Sequence, residues 1–183
     1  MTIIPTKLPG CYLIEPKIIR DDRGYFMEAF NEKEFVANVG SGVHFVQQNQ
    51  SQSKMGVLRG LHYQTGEHAQ AKLIRVLSGS ILDVAVDIRP ESETYGQYFS
   101  VELSAENNRQ LFIPRGFAHG FQVLSNDTTV FYNSDNFYNP AYEAGIIYDD
   151  PTIAVDWRAE SSLPLISEKD KNLPTFEKSI KVW

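Results

Sequence analysis

A chain of 183 residues with 42% hydrophobic and 22% charged residues has the make-up of an ordinary globular protein, able to bury a core without disulfides or structural metal. Its net charge of -6 excludes a general binder of DNA or RNA, whose phosphates need a basic surface. It leaves room for one phosphorylated ligand held by local arginines and lysines.

Cys11 is the only cysteine, so no disulfide framework exists and a reducing cytoplasm is the natural home. The opening MTIIPTKLPGCYLIEPK lacks the basic start and long apolar stretch of a secretory leader. No segment reaches the roughly 18 to 20 consecutive apolar residues of a membrane span. The expectation is a cytoplasmic protein, off the membrane, folded as one domain over 1–183. DDRGYFMEAF sets Arg23 before Gly24 with Glu28 further on, a charged turn by default. The first helix is expected in NEKEFVANVG, with Asn31 as N-cap, Glu34 in the first turn and Gly40 closing it.

GVLRGLHYQ threads Arg59 and His62 through an apolar run between glycines. Strict alternation would send the two side chains to opposite faces. A bulge or bend at Gly60 would bring them to one. A lone strand histidine is usually a satisfied core residue. One that shares a cavity with an arginine suggests an anionic ligand beside an acid–base group.

KLIRVLSGSILDVAVDIRP reads as two strands joined as a hairpin around Ser78-Gly79-Ser80. Lys72, Ile74 and Val76 share a face of the first; Leu82, Val84, Val86 and Ile88 share a face of the second, opposite Asp83, Ala85 and Asp87. The recurring polar residues predict a sheet with one wet face. Lys72 opens its strand either as a snorkelling lysine or, pointing into a cavity, as a cation able to steady an oxyanion. Further short runs follow in YGQYFSVELS, RQLFIP, GFAHGFQVLS and TTVFYNSDNFYN, each bounded by Gly, Pro, Asn or Ser.

In FIPRGFAHGFQ, His119 lies between Ala118 and Gly120, whose small size leaves room for another group. The Pro-x-Gly-x-x-His spacing is half of a metal-binding jelly-roll pattern. The required His-x-His pair is absent, since His62, Tyr63 and Gln64 stand there and Glu67 and His68 fall in a loop, so no metal is expected. Tyr132 and Tyr138 are packing residues by default, since strands favour tyrosine; one lining a polar cavity could serve as a general acid, and another could stack on a flat ring. SEKDKN begins with Ser167, and Asp170 three places later completes a capping pattern over a turn or two. There is no phosphate loop, Rossmann fingerprint or nucleophile elbow. Many short strands with few helices predict an all-β jelly-roll sandwich or barrel, with a short C-terminal helical segment and edges that could pair across a dimer.

DDRGYFMEAF, FVQQNQSQSKMGVLRGLHYQ, AKLIRVLSGSILDVAVDIR, QLFIPRGFAHGF and SEKD resemble, in order, motifs of the dTDP-4-dehydrorhamnose 3,5-epimerase family. The resemblance runs from about Arg20 to Asp170 and implies a cupin-type jelly roll, a homodimer, and neither metal nor cofactor. It makes His62 the proton acceptor, Tyr132 the proton donor, Lys72 the stabiliser of charge on the C4 oxygen, and Asp170 the partner that orients His62. Arg23, Glu28, Gln47, Asn49, Arg59, His119, Glu143 and Lys169 fall at its ligand-contact positions, with Tyr138 stacking on thymine and Arg23 reaching the neighbouring subunit. The implied substrate is dTDP-4-dehydro-6-deoxy-D-glucose. A relative that inverts C3 alone, a ketoisomerase and a non-catalytic sugar-nucleotide binder are the competing readings.

Overall fold

Short runs that alternate side chains between two faces, cut by glycine and proline every few residues, can bury apolar surface only by stacking sheets. The computed structural model describes residues 1–158 and 164–181. In chain order the elements are β1 (Thr2–Pro5), β2 (Tyr12–Glu15), β3 (Ile18–Asp21), β4 (Gly24–Met27), α1 (Glu32–Val39), β5 (Gln47–Ser53), β6 (Leu58–Gln64) and β7 (Lys72–Ser78). They continue as β8 (Ser80–Asp87), β9 (Tyr98–Ser104), β10 (Gln110–Ile113), β11 (Phe117–Val123), β12 (Thr128–Ser134), β13 (Glu143–Gly145) and α2 (Glu168–Lys171).

One sheet runs in the order β1-β2-β10-β7-β12-β5 and the other in the order β13-β6-β11-β8-β9, with β3 and β4 forming a separate ribbon. This is the jelly-roll class expected from the sequence. Ile74 and Val76 of β7, Leu111 and Ile113 of β10 and Val130 of β12 meet Ile81, Ala85, Leu103, Phe117, Phe121 and Val123 of the facing sheet. The outer face of the six-stranded sheet is covered by α1, where Phe35 packs on Leu73, Phe112 and Ile14. The α1 helix begins where the capping signal placed it, with the Asn31 side chain accepting from Glu34 N–H at 3.2 Å.

Two expectations need correction. β7 and β8 do not form a hairpin; β7 pairs with β10 and β12, and β8 with β11 and β9. The Ser78-Gly79-Ser80 turn is instead a corner where the chain passes from one sheet to the other. Nor is the polar face of β8 wet, because Asp83 and Asp87 are both 0% exposed. Leu82, Val84 and Val86 point outward, under Ile146, Ile153 and Phe176 from the C-terminal third of the chain. The acidic face therefore looks into the sandwich.

Candidate active site

The β6–β11 pairing is where the site begins. His62 lies opposite His119 and Arg59 opposite Phe121, so Gly60 and Leu61 together face the single residue Gly120. That bulge resets the alternation and lets Arg59 and His62 line one cavity, as the glycine suggested. Gly60 has φ +121°, and a Cβ there would lie 2.5 Å from Gly120 Cα. Two bare backbones in contact are the geometric condition for this approach.

His62 Nε2 is 2.8 Å from Asp170 Oδ1, and Asp170 Oδ2 accepts from Gly60 N–H at 3.2 Å. Burial pushes the Asp170 carboxyl up, but the hydrogen bond and charge of His62, with the Gly60 N–H and Ser167, hold it below the ordinary value. Asp170 belongs to α2, whose N-cap is the Ser167 hydroxyl accepting Asp170 N–H at 3.1 Å. Thus the serine caps the helix, and the aspartate's own carboxylate is free to orient the histidine. A hydrogen bond donated by Nε2–H to Asp170 leaves the ring's lone pair on Nδ1.

Two lobes of about 300 and 550 Å³ join at this point, and His62, Lys72 and Tyr132 border both. Lys72 starts β7 in the six-stranded sheet, and its ammonium is depressed from 10.5 to about 8 by desolvation, which Asp83 and Glu143 oppose. Tyr132 of β12 is raised above the usual phenol value, first by burial, against Arg59 and together with Glu143. A proton-bearing phenol and a weakened ammonium therefore face a carboxylate-oriented imidazole.

The smaller lobe is walled by Gln47, Asn49, Gln64, Tyr138 and Glu143, the larger by Arg59, His119 and Lys169. Gln47 Oε1 accepts from Tyr138 N–H at 2.9 Å, while Tyr138 OH donates to Glu143 Oε2 at 2.6 Å. Lys169 Nζ meets the same carboxylate oxygen at 2.6 Å. Arg59 donates to Ser53 Oγ at 3.1 and 3.2 Å. The cavity thus gathers eleven of the thirteen expected site residues: His62, Tyr132, Lys72, Asp170, Gln47, Asn49, Arg59, His119, Tyr138, Glu143 and Lys169.

Arg23 and Glu28 stand apart. Arg23 is turned to solvent beside Asp21, and Glu28 accepts from Asn31 at 3.1 Å. The ribbon that carries Arg23 also exposes Ile19, Tyr25 and Phe26. Sequence reasoning missed Asp83, whose Oδ1 is 2.7 Å from His119 Nε2. The available signal was a charged residue inside the apolar run ILDVAVDI. Among the described residues, no group of three or more His, Cys, Asp or Glu side chains is placed to hold a metal. No described helix is long and apolar enough to cross a membrane.

A jelly roll that sets an Asp-oriented histidine, a desolvated lysine and a protonated tyrosine around one polar cavity is the framework of a proton-transfer enzyme. The family model for dTDP-4-dehydrorhamnose 3,5-epimerase matches residues 5–178. The chain is 51% identical to the enzyme of that name from Shigella flexneri over 176 residues, 96% of each. It superposes on the crystal structure of the Elizabethkingia anophelis enzyme with a TM-score of 0.95 and 49% identity, covering 100% and 99% of the two chains. A 3,5-epimerase from Legionella pneumophila, solved with dTDP-4-keto-L-rhamnose, gives a TM-score of 0.93 and 45% identity, covering 97% and 93%. The chain belongs to the dTDP-4-dehydrorhamnose 3,5-epimerase family.

Proposed function

We propose that this chain inverts C3 and C5 of dTDP-4-dehydro-6-deoxy-D-glucose, yielding dTDP-4-dehydro-L-rhamnose for dTDP-L-rhamnose biosynthesis. The observation that carries this reading is the junction of the two lobes, where the His62–Asp170 pair meets Lys72 and Tyr132. The C4 ketone acidifies the C–H bonds at both neighbouring carbons. His62 Nδ1 takes a proton, and the C–H electron pair moves into the ring as the C4 oxygen becomes an enolate. Lys72 holds the negative oxygen; the Tyr132 hydroxyl gives a proton to the opposite face, and the carbonyl re-forms. The substrate provides its own electron sink, and after each inversion His62 gives its proton to water while the Tyr132 phenolate regains one, so the cycle closes by proton transfers alone.

Binding energy from groups remote from the reacting carbons fixes the sugar. In this reading Arg59 and Lys169 hold the diphosphate and Tyr138 stacks on thymine, with Gln47, Asn49, His119 and Glu143 completing the contacts. Arg23 and Glu28 serve the site of a second copy in a homodimer, which the exposed Ile19, Tyr25 and Phe26 of the ribbon support.

The test is proton NMR of the substrate incubated with the protein in D2O, without added metal or nicotinamide. Deuterium at both C3 and C5, with loss of the starting sugar, is the expected result. Label at C3 alone would mean single-centre epimerisation, and no label with retained dTDP binding would reduce the protein to a binder.

A further inference from the structure

His119 is the second histidine of the cavity, and it too is paired with a carboxylate. Its Nε2 is 2.7 Å from Asp83 Oδ1, and Asp83 is 0% exposed. The other oxygen, Asp83 Oδ2, is buried with no hydrogen-bond partner among the described residues. A fully buried carboxylate with an orphaned oxygen is costly for folding and calls for a reason. Asp83 is buried on β8, and its partner His119 and the Lys72 ammonium at the head of β7 border the same lobe, which sets the Asp83 carboxylate behind the wall they share; a negative charge there favours the charged form of Lys72.

We propose, on the strength of the epimerase reading, that Asp83 is a positioning residue for the reaction. It anchors His119 at the cavity wall with one oxygen and provides the buried counter-charge of Lys72 with the carboxylate as a whole. An enolate-stabilising lysine must carry its proton in a place that strips its solvent. A fixed anion behind it resolves that conflict without entering the space the substrate occupies. An anion in the substrate's path would instead repel the developing oxyanion.

The remaining charged groups around Lys72 divide by element. Glu143 of β13 adds a second negative charge. Arg59 and His62 of β6, and Lys169 and Asp170 of α2, border the same cavity, as do His119 of β11 and Tyr132 of β12. Asp170 is committed to His62 through Oδ1 and to Gly60 N–H through Oδ2, and Glu143 to Lys169 and Tyr138 through Oε2, whereas Asp83 is fully buried with Oδ2 unpartnered among the described residues.

The experiment follows the ε-methylene carbon of Lys72 by NMR in uniformly labelled full-length protein, its signal assigned by its absence from Lys72→Met. In Asp83→Asn, which keeps the shape and a hydrogen bond to His119, the Lys72 midpoint is expected to fall by about one pH unit. The alkaline limb of kcat/KM is expected to fall with it. An unmoved midpoint overturns the proposal, and so does a moved midpoint with an unmoved limb. His119→Asn retains the anion and serves if Asp83→Asn does not fold. There the Lys72 midpoint is expected to hold or rise, and a fall overturns the assignment. If wild type puts no deuterium into the sugar, the epimerase reading fails, whereas the Lys72 midpoint still reports on Asp83 by itself.

Discussion

Replacing Lys72 with methionine should make the protein more stable while disabling it. The ammonium lies at about 8 instead of 10.5, chiefly because the cavity desolvates it. Each pH unit corresponds to about 1.4 kcal/mol, so keeping the charge there costs the folded state about 3 kcal/mol at neutral pH. The sign is fixed by proton counting. Between about 8 and 10.5 the unfolded chain binds more protons at this site than the folded one, so wild-type stability rises with pH across that window. Below it, the full cost is present. Lys72→Met removes the charge and keeps an unbranched chain of similar length, so a gain of about 2–3 kcal/mol is expected at pH 7, shrinking toward zero near pH 10. Urea unfolding of both proteins at several pH values measures this, with turnover followed in parallel. Activity is expected to drop by about 100-fold or more as oxyanion stabilisation is lost. A variant less stable than wild type at pH 7, or a gain that does not vary with pH, would refute the reasoning.

Asp170→Asn removes the charged half of the His62 pair; at about 1.5–3 kcal/mol for a charge-assisted bond, kcat/KM should fall by about 10- to 150-fold, and near-wild-type values would sink the role. Because the Asp170 carboxyl is held low in the folded protein, its contribution to stability is present above the unfolded carboxylate value and lost as pH falls through the folded one. The asparagine variant should therefore show a flatter acid limb in denaturation experiments. Tyr132→Phe should cut net epimerisation by about 10²- to 10⁴-fold while dTDP still binds, read by product NMR and calorimetry. Gly60→Ala forces a Cβ to within 2.5 Å of Gly120 Cα at φ +121° and should cost about 2–5 kcal/mol in denaturant unfolding.

What the sequence discloses is what local chemistry determines. Asn31 and Ser167 were readable as caps because a cap is complete within four residues, and both accept the backbone N–H three places on. Gly60 was readable as the site of a bulge for the same reason. The Ser78-Gly79-Ser80 turn was misread because a hairpin and a corner between sheets use the same turn residues, and only pairing with distant β10, β11 and β12 distinguishes them. His62 and Asp170 are 108 positions apart, so no spacing rule joins them, and the family resemblance supplied that partnership. Arg23 and Glu28 were expected from the same source, yet a single chain leaves them outside its cavity.

The misreading of β8 carries the broader lesson. Alternation assigns polar residues to water because a sheet ordinarily has one solvated face. A sandwich that opens around a ligand reverses this locally, since its interior face must supply charge to the substrate and its outer face can be roofed by other parts of the chain. Asp83 lies inside, and Leu82, Val84 and Val86 are buried beneath the C-terminal segment. Charges fixed in such an interior hardly reorganise when an enolate forms, which is their catalytic advantage over water. The desolvated Lys72 and the half-satisfied Asp83 are individually unfavourable for folding. The apolar layers on both outer faces offset that cost and hold the two groups in place, where the proposed proton transfer would use them.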